Sequence, residues 1–270
     1  MRYENSEELA KALRLDILQM IHQGKSSHIG SAFSAADIFA VLYHDILHYH
    51  PEDPAWPERD RVILSKGHAG AVVYAVLAEC GFFPKEQLMT HCADGGNLSG
   101  HVSHKGVPGV EFSTGSLGHG LPVGAGIAFA LKKQNNPARV YVILGDGECL
   151  EGTTWETALF ASHHHLNNLT VIIDRNRMQG LGCTEDITAL EPLEDKWLAM
   201  GWHTMRLNGH SHNDLRNAFL EEKQQPCCII ADTVKGRGVS FMENQLEWHY
   251  KPPTGVLFEQ ALQELSGGQK

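Results

Sequence analysis

Residues 140–148 read Val-Tyr-Val-Ile-Leu-Gly-Asp-Gly-Glu, and residues 170–176 read Thr-Val-Ile-Ile-Asp-Arg-Asn. Each is a short apolar run rich in β-branched residues that stops at a polar or glycine break, the pattern of a strand buried on both faces. The first run ends in a turn at Gly145-Asp146-Gly147, and helical spacing follows over 155–163. The alternation continues with a helix at 193–200, a strand at 203–207, a helix at 213–223 and a strand at 227–233. Strands of this kind separated by helices predict an α/β fold: a mostly parallel sheet with helices on both faces.

Upstream, Leu9, Leu13, Ile17, Met20 and Ile21 share one face of a helix over 7–23, with Ser6 or Asn5 as cap and Gly24 as stop. Further helices are predicted at 35–47, at 70–80 ended by Gly81, and at 121–133. Between the last two, residues 92–120 are loop-like, and Gly95, Gly96, Gly100, Gly115, Gly118 and Gly120 suit a loop that approaches a ligand closely. No repeat, low-complexity tract or linker divides the chain, so 1–270 reads as a single domain, with 266–270 expected to fray.

The composition narrows the function. With 22 Lys+Arg against 32 Asp+Glu the formal net charge is -10, and no basic block offers a nucleic-acid surface. Residues 1–11 are polar where a signal peptide needs an apolar run. The longest apolar stretch, 121–131, is too short to span a bilayer, so a cytoplasmic protein without membrane contact is expected. Six cysteines without CxxC spacing read as reduced, buried thiols. The run His163-His164-His165 cannot converge on one metal from consecutive helical positions and reads as a solvated helix end.

In open α/β sheets ligands collect beyond the carboxyl ends of the strands, where both Gly145-Asp146-Gly147 and Asp174-Arg175-Asn176 fall. Glycines on either side of Asp146 let backbone amides approach an anion, while the carboxylate can hold a hard cation that neutralises it. Gly-Asp-Gly alone also makes ordinary turns. Here it follows a strand, precedes a helix, and is answered about thirty residues later by Asn176.

This pairing resembles the bipartite thiamine-diphosphate motif, and the resemblance to transketolase extends further. It takes in Ser27-His28, Ser65-Lys66-Gly67-His68-Ala69, Gly100-His101, Ser113-Thr114-Gly115-Ser116-Leu117-Gly118 and Lys235-Gly236-Arg237-Gly238, in order over residues 9–253. It implies the thiamine-diphosphate-binding fold of the diphosphate (PP) type. Asp146, Asn176 and the Met178 carbonyl would then bind Mg2+, for which Ca2+ or Mn2+ could substitute. Gly145, Gly147, Glu148, His68, Lys235 and His249 would face the cofactor, and Gly115, Ser116 and Leu117 would pack beside its aminopyrimidine. His28, His101, His249, Lys66 and Lys235 would handle sugar hydroxyl and carbonyl protons. Ile29, and Gln179 one residue away from the family's glutamine, depart from the pattern.

A complete transketolase is more than twice this length. The resemblance therefore implies that the pyrimidine-binding and C-terminal domains reside on a partner chain in an α2β2 assembly, with Glu151 at the interface. The implied activity is transfer of a two-carbon ketol unit between a ketose phosphate and an aldose phosphate. Alternatives are another thiamine-diphosphate enzyme subunit, such as a deoxyxylulose-phosphate synthase or the α chain of a 2-oxoacid dehydrogenase, or a non-catalytic cofactor-binding regulatory subunit.

Overall fold

The apolar runs pair as five parallel strands: β1 (Arg61–Leu64), β2 (Val140–Gly145), β3 (Leu169–Arg175), β4 (His203–Asn208) and β5 (Cys227–Asp232), in the spatial order β1-β2-β3-β5-β4. The computed structural model describes residues 2–267. Register places Gly145 of β2 opposite Asp174 of β3, and Arg175 opposite Asp232 of β5. The carboxyl ends of three strands thus lie level, which sets the floor of the site.

Alternation along β2 divides the core. Tyr141 and Ile143 face one side, where they meet buried residues of α1 (Ser6–Gly24), α2 (Ile29–Val41) and α3 (Ala71–Glu79). Val140, Val142 and Leu144 face the other, against α4 (Gly120–Lys133) and α5 (Gly152–His163). After the short α6 (Thr184–Ile187), α7 (Leu193–Ala199) joins the second side through Leu193 and Trp197. On the first side lie α8 (His212–Leu220) and α9 (Val256–Ser266), through Leu215, Phe219, Ala261 and Leu265. The prediction of helices on both faces of a parallel sheet holds, because continuous apolar strands need two apolar layers.

The local signals hold at the start of α1, where the Asn5 side chain accepts from the Glu8 amide at 2.8 Å. Its stop differs from the expectation. Lys25, not a glycine, takes the left-handed conformation (φ 47), and Gly24 is small because a Cβ there would lie 2.5 Å from the His91 carbonyl oxygen. The second helix begins at Ile29 rather than 35 and gives way to a π turn, Leu42–Ile46. All thirteen residues of α2 are buried, so no polar face marks its start. β1 is only four residues long and α9 opens on an exposed Val256, and neither was anticipated.

Two smaller readings need correction. Cys149, Cys227 and Cys228 are buried, but Cys92 and Cys183 are exposed; all six thiols are free. His164 is not merely solvated, since its ring packs against Phe129 and Phe160 at 4.9 and 4.4 Å. Of the end expected to fray, Ser266 closes α9, and 268–270 lie outside the described residues. Among those described, no helix is long and apolar enough to cross a membrane.

Candidate active site

A cavity of about 280 Å³ opens beyond the strand ends. Its floor is Gly145, Asp146 and Gly147 after β2, and Asn176 and Met178 after β3. Lys66 and His68 come from the loop after β1. His28 sits at the start of α2, His101, Gly115 and Leu117 come from the glycine-rich segment, and His249 comes from a single 3-10 turn, Leu246–His249. Segments about 220 residues apart in sequence converge because parallel strands all point their carboxyl ends the same way.

Two buried carboxylates brace these loops. Glu148 Oε1 accepts from Ser65 Oγ at 2.5 Å and from the Gly118 amide at 2.8 Å, and its Oε2 accepts from the Gly145 amide at 3.2 Å. Burial pushes this carboxyl up, offset in part by those donors. Glu148 lines the cavity, but its oxygens are spent on tying three loops together.

Asp174 is the second brace and was not singled out from sequence. Fully buried, it accepts from Lys66 Nζ, from Thr233 Oγ1, from Ser34 Oγ at 2.5 Å and from Asn176 Nδ2 at 3.3 Å. Burial alone would raise its pKa, yet the Lys66 charge and these donors hold it below the ordinary value. One consequence concerns Asn176. Its amide nitrogen faces Asp174, so its Oδ1 is turned toward the loop, where it accepts from the Met178 amide at 3.1 Å and keeps a second lone pair. Another concerns Lys66, whose ammonium is committed to Asp174 and to the Ser31 carbonyl at 2.9 Å.

Asp146 is 2% exposed. Its Oδ2 is saturated by Arg175 Nη1 at 2.8 Å, the Arg177 amide at 2.7 Å and Thr184 Oγ1 at 3.2 Å, whereas Oδ1 accepts only from the Gly147 amide at 2.8 Å. Arg175 therefore orients the carboxylate and leaves one oxygen with spare acceptor capacity on the cavity side. Burial raises the Asp146 pKa against the pull of Arg175. Among the described residues no group of three His, Cys, Asp or Glu is arranged to hold a metal. A cation here would take one carboxylate oxygen, one amide oxygen and one backbone carbonyl, a hard-oxygen set suited to Mg2+ when ligand oxygens complete it.

Four imidazoles crowd the mouth. His28 lies 5.1 Å from His68, 5.8 Å from His101 and 4.9 Å from His249 between ring centroids. Burial, then His101 and Lys235, lowers His28 to about 4; burial, then Lys235 and His28, lowers His249 to about 3; burial also drives His68 well below its usual value. At neutral pH these three rings are uncharged, able both to accept and to donate hydrogen bonds. Lys235, pushed to about 8 by burial and then by Lys66, donates to His249 Nδ1 at 3.0 Å and to the Met178 carbonyl at 3.2 Å.

Most residues singled out from sequence line the cavity. Ser116 does not, being exposed at the tip of its turn; Lys235 sits behind His249; Glu151 is exposed at the start of α5. Ser31, Gln179 and Gly180 line it as well. The buried Gln179 Nε2 has no hydrogen-bond partner among the described residues. A Cβ on Gly147 would come within 2.7 Å of Gln179 Cγ, so the glycine lets the Gln179 side chain pack directly against this turn. An orphan donor beside glycine amides and buried cations fits a polyanionic ligand.

The fold and this cavity define a doubly covered α/β protein with a cleft at its strand ends, lined by glycine amides, oxygen donors and imidazoles. Residues 5–256 match the family described as "Transketolase, thiamine diphosphate binding domain", and the chain belongs to the transketolase family. It is 41% identical to an apulose-4-phosphate transketolase subunit of Actinobacillus succinogenes, over 98% of this chain and 97% of that one. It is 39% identical to a 6-deoxy-6-sulfo-D-fructose transketolase subunit of a Clostridium species, over 95% and 94%. The transketolase of Leishmania mexicana superimposes with a TM-score of 0.92 at 30% identity, over 98% of this chain but 42% of that one. The chain thus has the length of the relatives named as subunits and less than half that of complete transketolases.

Proposed function

We propose that this chain is the cofactor-binding subunit of a two-component transketolase, which moves a two-carbon ketol unit from a ketose to an aldose. The observation that carries the reading is the paired strand-end site, with Asp146 and Asn176 each oriented by a buried neighbour so that one oxygen, accepting a single amide hydrogen bond, keeps a lone pair for a cation. Thiamine diphosphate, when bound, supplies the nucleophilic carbon and electron sink needed to break and make a bond next to a carbonyl.

On this reading Asp146, Asn176 and the Met178 carbonyl hold Mg2+. The Gly147 amide, His68 and Gln179 would hold the diphosphate, with Lys235 behind His249 orienting that ring, and the Gly115–Leu117 turn would pack against the aminopyrimidine. Uncharged His28 and His249, together with His101, exchange protons with sugar oxygens. Lys66, tied to Asp174, serves as a fixed positive charge rather than a proton carrier.

The chain forms one domain. A partner supplies the pyrimidine-binding and C-terminal domains in an α2β2 complex in the cytoplasm, with Glu151 at the rim where the two meet. The exposed Glu151 at the start of α5, and the relatives named as subunits, support the need for a partner.

The test is to mix the chain with thiamine diphosphate, Mg2+ and the product of the adjacent reading frame, and to assay ketol transfer among sugar phosphates. Each component alone serves as control. Activity in the mixture only is the expected result. Transfer by the chain alone would refute the two-component assignment, and absence of Mg2+-dependent cofactor binding would refute the site.

A further inference from the structure

Lys235 reaches the cleft from a turn that has just left the sheet. Thr233 still gives its amide to the Arg175 carbonyl of β3 at 3.2 Å, but Val234, one residue on, gives its amide to His210 Nε2 at 2.8 Å. A backbone amide only donates, so Nε2 carries no proton and the ring proton sits on Nδ1, 2.6 Å from Asp37 Oδ2. Asp37, on α2, is buried and also accepts from Arg14 Nη1 at 3.0 Å, Arg14 Nη2 at 2.5 Å and His212 Nε2 at 3.1 Å. Burial by itself would raise its pKa, yet Arg14 and the two histidines hold it well below the ordinary value. The carboxylate is therefore charged at neutral pH and keeps His210 in one tautomer and one ring plane.

The turn carrying Lys235 is fixed on its other side by the first turn of α2. The Gly236 amide donates to the Gly30 carbonyl at 3.0 Å, and a Cβ on Gly30 would lie 3.0 Å from Lys235 Cγ. From this position the Lys235 ammonium donates to His249 Nδ1, which leaves the proton of that uncharged ring on Nε2. We propose that His210 is a positioning residue: braced by Asp37, it holds the Val234 amide, and through it the Lys235 ammonium and the tautomer of His249. The importance of Lys235 and His249 to turnover rests on the transfer reading above; the alignment itself does not. His210 lies outside the motifs that build the cleft and outside its lining. Its ring borders a separate cavity of about 320 Å³, which Arg14, Asp37 and His212 also line and which shares no residue with the cleft.

Two side-chain amides separate this role from packing alone. Glutamine at this position can place an oxygen where Nε2 stood, whereas asparagine reaches only as far as Nδ1. In the reconstituted complex His210→Ala and His210→Asn should each lower kcat on the order of tenfold to a hundredfold, as a displacement near 1 Å at a reacting group does; His210→Gln should keep most of the wild-type rate. Added imidazole should enter the His210→Ala complex through the adjoining cavity and restore turnover. 1-Methylimidazole, which cannot donate to Asp37 while accepting from Val234, should not. Equal rates in the Gln and Asn complexes, or an equal effect of the two imidazoles, none included, overturns the proposal. Independently of turnover, nitrogen-15 spectra of the histidine-labelled wild-type chain should show His210 protonated on Nδ1 and His249 on Nε2, and His210→Ala should move the His249 signal. A proton on His210 Nε2, or a His249 signal unmoved in His210→Ala, likewise overturns it. A wild-type mixture with no transfer at all refutes the two-component transfer reading and leaves the spectra to decide the alignment.

Discussion

Replacing Asp174 by Asn tests the claim that one buried ion pair holds the site's geometry. The carboxylate is fully buried and takes four donors, Lys66, Ser34, Thr233 and Asn176, which matches its lone-pair capacity. An amide keeps only one acceptor oxygen, and its nitrogen, placed on the side of Thr233 Oγ1, forces that hydroxyl to reverse from donor to acceptor. It also leaves the Lys66 ammonium, whose side chain is 2% exposed, without a counter-charge. Breaking such a pair from one side costs about 3–5 kcal/mol. With a urea m-value near the upper end of the usual range, about 3 kcal/mol/M, the midpoint should fall by roughly 1–1.7 M, followed by tryptophan fluorescence. Lys66→Met added to Asp174→Asn removes the stranded charge at similar volume, and the double variant should recover at least about 2 kcal/mol over the sum of the single losses. A midpoint shift in Asp174→Asn below about 0.3 M, or strictly additive single effects, would refute the argument that the pair acts as one buried unit.

Gly67→Ala should be destabilising by about 1–3 kcal/mol, because its Cβ would lie 2.5 Å from the Thr114 carbonyl carbon, backbone that cannot swing aside; urea unfolding measures the cost, and an unchanged midpoint would show that the loops after β1 and before α4 are free to separate. Burial lowers His91 to about 4 from an ordinary 6.5, so the unfolded chain takes up the proton first as pH falls, and the stability due to the neutral ring is lost between about 6.5 and 4. Between pH 7 and 5 this amounts to about 2 kcal/mol, and His91→Gln should shrink the wild-type difference in unfolding free energy between those pH values by that amount; equal pH dependence in the two chains would contradict it. His101→Ala in the reconstituted complex should abolish most turnover while Mg2+-dependent binding of thiamine diphosphate persists, measured by calorimetry; full turnover would remove His101 from the proton-handling set.

The apolar runs at 140–144 and 170–174 were legible as strands because both their faces are buried and their ends are punctuated by Gly145 and Asp174; pattern alone carried the α/β assignment. Asp146 and Asn176 were legible for the same reason, since a short motif at a strand end keeps its meaning locally. β1 escaped because four residues leave no period to read, and the start of α2 escaped because a helix buried all round has no polar face. At the site, residue identity was visible from sequence but state was not. That Lys66 is locked to Asp174, that Glu148 braces three loops, and that three histidines are held uncharged depend on contacts between distant parts of the chain and on the depth of burial. Desolvation and long-range pairing belong to the packed molecule, so only tertiary structure could decide which of these charged side chains are free to act and which hold the others in place.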